Sequence, residues 1–203
     1  MAAGARRSAR DVFCNFPFDS NYERLYFALV AALLCTGQTP RTVLEIPPSA
    51  DRLARLLALL AECPYSLHDL SRVQLSARPT RVPRFNMPFE LGLAVSLAKT
   101  SPKRHAFRLL EEQPFRLQQS LSDLNGYDPY IHHGTVDGMF AAVCDVFSIF
   151  RPFPISELSQ FRRVYRALRT FRQKQFDGLS PYNSDRFKQV VVAGREYVRQ
   201  LSR

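Results

Sequence analysis

Short apolar runs alternate with longer helical patterns over residues 11–150, and this alternation constrains the fold more than any other feature of the sequence. Runs typical of buried strands lie at residues 11–18, 39–46, 65–70, 105–110 and 130–132. Apolar residues at helical spacing fill the intervals, over residues 22–34, 51–63, 86–98, 115–124 and about 136–150. Strands that alternate with helices through short loops favour a parallel sheet covered on both faces. The sequence therefore predicts an α/β, flavodoxin-like fold of about five strands.

The pattern changes after residue 150, where no further strand is indicated. Apolar residues recur at helical spacing on either side of a turn that runs from Asp177 to Asn183. This pattern predicts a C-terminal helical hairpin. We therefore divide the chain into a flexible basic N-terminus (1–10), an α/β domain (11–150) and a basic amphipathic helical extension (151–203).

Positive charge is concentrated in this extension. The whole chain has a net charge of +10, and residues 151–203 hold 12 Lys and Arg against 4 Asp and Glu. Residues 11–150 are close to neutral, with 13 basic against 14 acidic side chains. Such a basic face could dock on an acidic partner or on nucleic acid, or it could simply be solvated.

The spacing of the cysteines and the length of the apolar runs indicate the cellular compartment. Cys14, Cys35, Cys63 and Cys144 lie far apart, without a C-x-x-C pair or a zinc-ligand spacing. They are typical of buried thiols in a reducing compartment, and no metal site is predicted. No run approaches the ~20 apolar residues of a membrane span, and residues 1–10 do not lead into a secretory signal. We expect a cytoplasmic protein that does not enter a membrane.

Three segments resemble the nucleoside 2-deoxyribosyltransferase-like proteins. Residues 12–18 read Val-Phe-Cys-Asn-Phe-Pro-Phe and are similar to that family's first strand and Pro-Phe loop. Residues 89–94, Phe-Glu-Leu-Gly-Leu-Ala, are similar to the Glu-Leu-Gly-Tyr-Ala segment that carries the family's catalytic glutamate. Residues 68–71, His-Asp-Leu-Ser, resemble the end of its third strand and the acidic loop that follows. TIR domains that cleave NAD share this layout, and the likeness covers about residues 11–150.

The resemblance implies a reaction at Glu90. This glutamate would attack or electrostatically stabilise the anomeric carbon of an N-ribosyl bond, which breaks through an oxocarbenium-like state. Asp69 would lie in the same crevice and hold the base or the ribose hydroxyls. No cofactor is implied, since NAD would be a substrate. The likeness to TIR domains also implies a homo-oligomer or an activating protein partner.

Elementary physics is compatible with that role. In parallel sheets, ligands bind beyond the carboxyl ends of the strands, so the loops after Phe16, after Asp69 and before Glu90 should meet at one rim. Asn86 is a suitable N-cap and Pro88 fits a first turn. Glu90 would then feel the positive end of the helix macrodipole, which favours its ionised form. The structural alternative is that a first-turn glutamate merely stabilises its helix.

The expected substrate-binding residues surround this carboxylate, and they are Asn15, Phe16, Phe18, Ser71, Arg81, Arg84 and Asn86. Arginines at the rim suit phosphate, because the planar guanidinium binds its oxygens bidentately. The ligand is therefore expected to be a nucleotide or dinucleotide such as NAD rather than a bare nucleoside. His132 and His133 are adjacent and would face opposite sides of a strand, so they are poor candidates for one shared ligand.

Two classes of function remain open at this point. The first is an enzyme that cleaves or transfers an N-glycosidic bond with Glu90 as the nucleophile. The second is a non-catalytic module that senses a nucleotide in the same crevice, or whose basic tail docks on an acidic partner or nucleic acid.

Overall fold

The computed structural model describes residues 8–46, 51–72 and 84–202. Within these residues the strands are β1 (Asp11–Asn15), β2 (Thr39–Arg41), β3 (Tyr65–Asp69), β4 (Ala106–Glu111) and β5 (Tyr130–Ile131). The helices are α1 (Glu23–Cys35), α2 (Arg52–Glu62), α3 (Asn86–Thr100), α4 (Arg116–Ser120), α5 (Val136–Val146), α6 (Leu158–Phe176) and α7 (Ser184–Leu201).

All neighbouring strands are parallel, and their order across the sheet is β2-β1-β3-β4-β5. This is the flavodoxin-like order, so the predicted fold class is confirmed. From β1 the chain runs to β2 at one edge of the sheet, whereas from β3 it runs through β4 to β5 at the opposite edge. The switch point therefore lies between β1 and β3, where Asn15 is in register with His68. Crevices for ligands form beyond the carboxyl ends of strands at such points.

Two predicted elements are shorter than expected. The strand predicted over residues 39–46 ends at Arg41, and a 3-10 turn follows over Val43–Glu45. The Thr42 N–H donates to Glu45 Oε1 at 3.0 Å, so this backbone group is satisfied by a cap instead of a neighbouring strand. The helix predicted over residues 115–124 divides into α4 and a 3-10 turn at Ser122–Leu124.

The C-terminal hairpin of α6 and α7 packs directly on α1 and shares its hydrophobic core. Helix α1 is buried almost throughout, because the sheet and α5 cover one side and the hairpin covers another. Phe161, Val164 and Leu168 of α6 are buried in this shared core. A helix that is apolar all round is stable only when it is covered all round. The extension is thus part of the main core, whereas its sequence indicated only an appended hairpin.

Part of the basic face of α6 is used within the fold. Arg162 pairs with Asp137 of α5 at 2.7 Å, and Arg172 pairs with Glu23 of α1 at 3.1 Å. These ion pairs tie α6 to the α/β part of the molecule. Among the helices of the described residues, none combines the length and apolar character that crossing a membrane requires.

Candidate functional site

A pocket of about 350 Å³ opens at the carboxyl edge of the sheet, at the switch point between β1 and β3. Its walls come from the loop after β1, the start of α2, the turn after β2 and the start of α3. The described lining residues are Asn15, Phe16, Pro17, Phe18, Val43, Arg52, Arg84, Phe85, Asn86, Met87 and Glu90. The pocket therefore brings together Asn15, Phe16, Phe18, Arg84, Asn86 and Glu90 of the predicted site.

Glu90 contributes a buried carboxyl group to this pocket. The residue is only 7% exposed, and its Oε2 atom has no hydrogen-bond partner among the described residues. Burial raises the pKa of Glu90 from 4.5 to about 7, while the positive charge of Arg52 acts in the opposite direction. At neutral pH the carboxyl group is thus divided between its ionised and protonated forms. A carboxyl group poised in this way is suited to chemistry near pH 7.

The placement of Glu90 corrects two expectations. Phe85, and not Asn86, occupies the N-cap position of α3, without a side-chain cap, so Glu90 falls in the second turn. The predicted effect of the macrodipole was a lowered pKa, yet the pKa is raised. Desolvation exceeds the dipole effect because the dipole weakens beyond the first turn, whereas burial acts on the whole carboxylate.

Asn15 connects the end of β1 to the start of α3. Its Nδ2 atom donates to the Met87 carbonyl oxygen at 2.9 Å and lies 3.1 Å from His68 Nδ1 on β3. Met87 is one helical turn before Glu90 in α3, so the two residues share a face of the helix. This contact fixes where the carboxyl group of Glu90 stands relative to the sheet.

Asp69 and Ser71 are not among the described residues that line the pocket. Asp69 is 1% exposed and accepts hydrogen bonds from the Tyr22 hydroxyl and the Ser71 N–H, the latter at 2.9 Å. His132 Nε2 lies 3.2 Å from Asp69 Oδ2. Burial by itself would raise the pKa of Asp69, but the contacts with His132, Ser71 and Tyr22 lower it below its usual value. The expectation that Asp69 faces the crevice with Glu90 is corrected: its carboxylate is enclosed by these three partners.

The arginines at the rim are Arg52 and Arg84, and Arg81 lies outside the described residues. Arg84 lines the pocket and forms a 2.8 Å ion pair with Asp19, in the loop after β1. Arg52 begins α2 and is exposed. The sequence analysis missed Arg52. Its signal was the Asp51-Arg52 pair at a helix start, which in a parallel α/β fold lies at the carboxyl edge of the sheet.

Aromatic side chains form the remaining wall. Phe16 is buried and stacks on Tyr22 and Tyr26, with ring centroids 6.0 and 5.3 Å apart. Phe18 is partly exposed and lies 5.0 Å from Phe16 in an edge-to-face arrangement. Phe16 and Phe18 line the pocket, so they give it an apolar wall in addition to the carboxyl group of Glu90.

The adjacent histidines occupy different environments. His132 is fully buried, and its Nδ1 accepts the Gly134 N–H at 3.0 Å, while His133 is exposed. Within the described part of the chain, no group of three or more His, Cys, Asp or Glu side chains is placed to hold a metal ion.

No protein-family model matches the sequence, and no curated protein matches it.

Proposed function

We propose that the protein cleaves or transfers the N-glycosidic bond of a nucleotide, NAD-like in its chemistry, or of a nucleoside, with Glu90 as the nucleophile. One observation carries this proposal: a buried carboxyl group without a described hydrogen-bond partner lines a pocket at the switch point of a parallel sheet. The resemblance of residues 89–94 to the glutamate segment of the deoxyribosyltransferase-like family supports the same role.

The reaction needs a carboxylate at the anomeric carbon. As the C1′–N bond breaks, the base leaves with the bonding electron pair and positive charge develops on the sugar. A Glu90 oxygen then stabilises that charge or bonds to C1′, and water or a second base displaces it afterwards. Hydrolysis and transfer differ only in this final acceptor.

The lining of the pocket favours a base that leaves without needing a proton. Among the described lining residues, Glu90 carries the one carboxyl group, and a group that acts as nucleophile cannot protonate the leaving base in the same step. A base that is cationic while bonded, such as the nicotinamide of NAD, leaves as a neutral molecule. This consideration supports an NAD-like substrate over an ordinary nucleoside.

Arg52 and Arg84 support a phosphorylated substrate. Both line the pocket, and their charges complement a phosphate or pyrophosphate group. Arg52 also favours the ionised form of Glu90, which is the nucleophilic form. A phosphate bound at this side would leave the ribose close to α3 and the base close to the aromatic wall.

The four cysteines are free thiols, and three of them are buried. Unpaired thiols fit our further proposal that the protein works in a reducing compartment, the cytoplasm.

A product-release assay tests the proposal. Purified protein is incubated with NAD, a deoxynucleoside and a deoxynucleotide, and the released nicotinamide or base is quantified by chromatography. The assay covers a range of protein concentrations, because the resemblance to TIR domains implies activation by oligomerisation. We expect release by the wild-type protein and by Glu157→Gln, a matched change at an exposed glutamate, and none by Glu90→Gln.

Two results would contradict the proposed enzymatic function. Equal release by the wild type and Glu90→Gln would remove Glu90 from the chemistry. Tight binding of a nucleotide without release at any protein concentration would instead indicate a nucleotide-sensing module, which is the alternative function for the same pocket.

A further inference from the structure

A chain of four buried hydrogen bonds leads from the end of α2 to the pocket, and it ends on the side chain of Asn15. The chain passes from the carbonyl oxygen of Cys63 through His105, Ser66 and His68. His68 and Ser66 are fully buried, and His105 and Asn15 are nearly so. Buried polar groups of this kind are held in one arrangement, because an unmade hydrogen bond would be costly.

The backbone carbonyl at one end fixes the position of one histidine proton in the chain. Cys63 O can only accept, so His105 Nδ1, 2.8 Å away, carries the proton. When that is the only proton on the ring, His105 Nε2 accepts the hydroxyl hydrogen of Ser66, 2.9 Å away. The Ser66 oxygen accepts in turn from His68 Nε2 at 3.0 Å.

This order leaves His68 Nδ1 without a proton, so it accepts from Asn15 Nδ2 at 3.1 Å. Burial lowers the pKa of His68 to about 3, and His105 adds to this effect. The His68 ring is therefore neutral throughout the physiological range.

A second acceptor sets the same orientation of the Asn15 amide independently. The Met87 carbonyl oxygen lies 2.9 Å from Nδ2 and can only accept a hydrogen bond. Both hydrogens of the Asn15 amide are thus committed, one to His68 and one to Met87. The atom of this side chain that remains for a ligand is Oδ1, which is an acceptor.

We propose that Asn15 presents its carbonyl oxygen to the pocket as a fixed acceptor, which selects a ligand with a hydroxyl group of the ribose at that point. This inference rests on the proposed function of Glu90. Met87 and Glu90 are three residues apart in α3, and side chains at this spacing are neighbours at about 5–6 Å. Asn15 contacts the backbone of Met87, and Asn15 and Glu90 line the same pocket, so a sugar with its anomeric carbon at Glu90 would place a hydroxyl group within reach of Asn15. The Asn15 carbonyl oxygen would repel a phosphate oxygen, because both are acceptors. A phosphate group would therefore bind at Arg52 and Arg84.

The orientation of the amide is tested first, by nitrogen-15 NMR of the histidine rings. The sequence contains four histidines, so single His→Gln variants assign His68 and His105. We expect the proton on Nε2 of His68 and on Nδ1 of His105 at pH 7. The opposite tautomer of His68 would place a donor against Asn15 and overturn the inference, whatever the activity of the protein.

The selection of a hydroxyl is tested by binding to the Glu90→Gln protein, which does not consume the ligand. Isothermal titration compares nicotinamide mononucleotide with its 2′-fluoro and 3′-fluoro analogues, in which a donor hydroxyl becomes a group that cannot donate. We expect one analogue to bind about tenfold more weakly, as the loss of one hydrogen bond to a buried acceptor predicts. Adding Asn15→Ala should remove that difference.

Equal affinities for all three ligands, or a difference that persists after Asn15→Ala, would overturn the inference, and so would the absence of binding by every ligand. If Asn15→Ala fails to fold, the NMR result and the three affinities decide the question. Failure of the proposed function has a different signature, because it appears as unchanged release by Glu90→Gln and does not depend on these affinities.

Discussion

Arg84 Nη1 lies 2.8 Å from Asp19 Oδ2, and the same carboxylate oxygen lies 3.2 Å from Arg72 Nε. The two arginines share one acidic partner, yet only Arg84 is among the described residues that line the pocket. Asp19 thus holds Arg84 at the rim of the pocket. Arg72 provides a natural control for the contribution of this ion pair.

Replacing Arg84 should weaken the binding of phosphorylated ligands in particular. A charge-assisted hydrogen bond contributes about 1.5–3 kcal/mol, so Arg84→Gln should lower the affinity for a nucleotide at least about tenfold. Arg72→Gln, which breaks a similar ion pair, should leave that affinity nearly unchanged. Isothermal titration with a nucleoside and its 5′-phosphate measures both effects. Equal affinity of the wild type for the two ligands would refute the role of phosphate at this rim.

The buried Glu90 should make stability depend on pH in a defined direction. Its pKa is about 7 in the folded protein and near 4.5 in the unfolded chain. Between these values the folded state keeps a proton that the unfolded state loses, so the free energy of unfolding falls as pH rises from about 4.5 to 7. The full loss, of the order of 3 kcal/mol, is reached above pH 7. Because glutamine does not ionise, the Glu90→Gln variant should not lose this stability as the pH rises.

Urea unfolding at pH 5 and pH 8 measures the effect. The stability of the wild type relative to Glu90→Gln should decrease between the two pH values, whereas Glu157→Gln should follow the wild type. An unchanged difference between wild type and Glu90→Gln would mean that Glu90 is not buried in solution.

The parallel sheet was predictable from the sequence because each strand is a short apolar run bounded by turn residues. The location of the pocket was also predictable, since the loop after Phe16 and the approach to Glu90 must meet at the carboxyl edge of such a sheet. The environment of Asp69 was not predictable. Its partners Tyr22 and His132 are 47 and 63 positions away in the chain, and no local pattern indicates that they enclose it.

The burial of α1 on all sides could have been predicted but was not. Eleven consecutive residues of α1, from Leu25 to Cys35, are apolar and buried. A continuous run of this kind indicates a helix covered by other elements on every side, and the amphipathic hairpin at the C-terminus was the available cover. The ionisation of Glu90 was predicted in the wrong direction, because a sequence shows a helix start but not the depth of a side chain.

The contact between α6 and α1 should contribute strongly to stability. Leu168 of α6 is fully buried in the core that the hairpin shares with α1, so Leu168→Ala should lower the free energy of unfolding by about 2–5 kcal/mol. Val192, on α7, is 66% exposed, and Val192→Ala should change the free energy of unfolding by less than about 0.5 kcal/mol. Chemical denaturation compares the two variants. A small effect of Leu168→Ala would contradict the burial of this side chain in the shared core.

Two helical glycines should respond oppositely to alanine. Outside the backbone of its own helix and its chain neighbours, a Cβ atom at Gly92 meets no described atom within 4 Å, so Gly92→Ala should stabilise α3 by roughly 0.5–1 kcal/mol. At Gly138 a Cβ atom would lie 2.1 Å from the His132 carbonyl oxygen, and a backbone atom cannot easily move away. Gly138→Ala should therefore cost about 1–3 kcal/mol. Thermal unfolding distinguishes them, and a stabilising Gly138→Ala would contradict the approach of α5 to His132.

The pH dependence of the first turnover tests the central claim most directly, because it reports the ionisation of the nucleophile itself. Single-turnover release of nicotinamide from NAD is measured between pH 5 and 9 for the wild type, Glu157→Gln and Glu90→Gln. The wild type and Glu157→Gln should show a rate that rises with pH with a midpoint near 7, the pKa of Glu90, and Glu90→Gln should show no release. A rate that is independent of pH, or that Glu90→Gln retains, would contradict a reaction at this carboxylate.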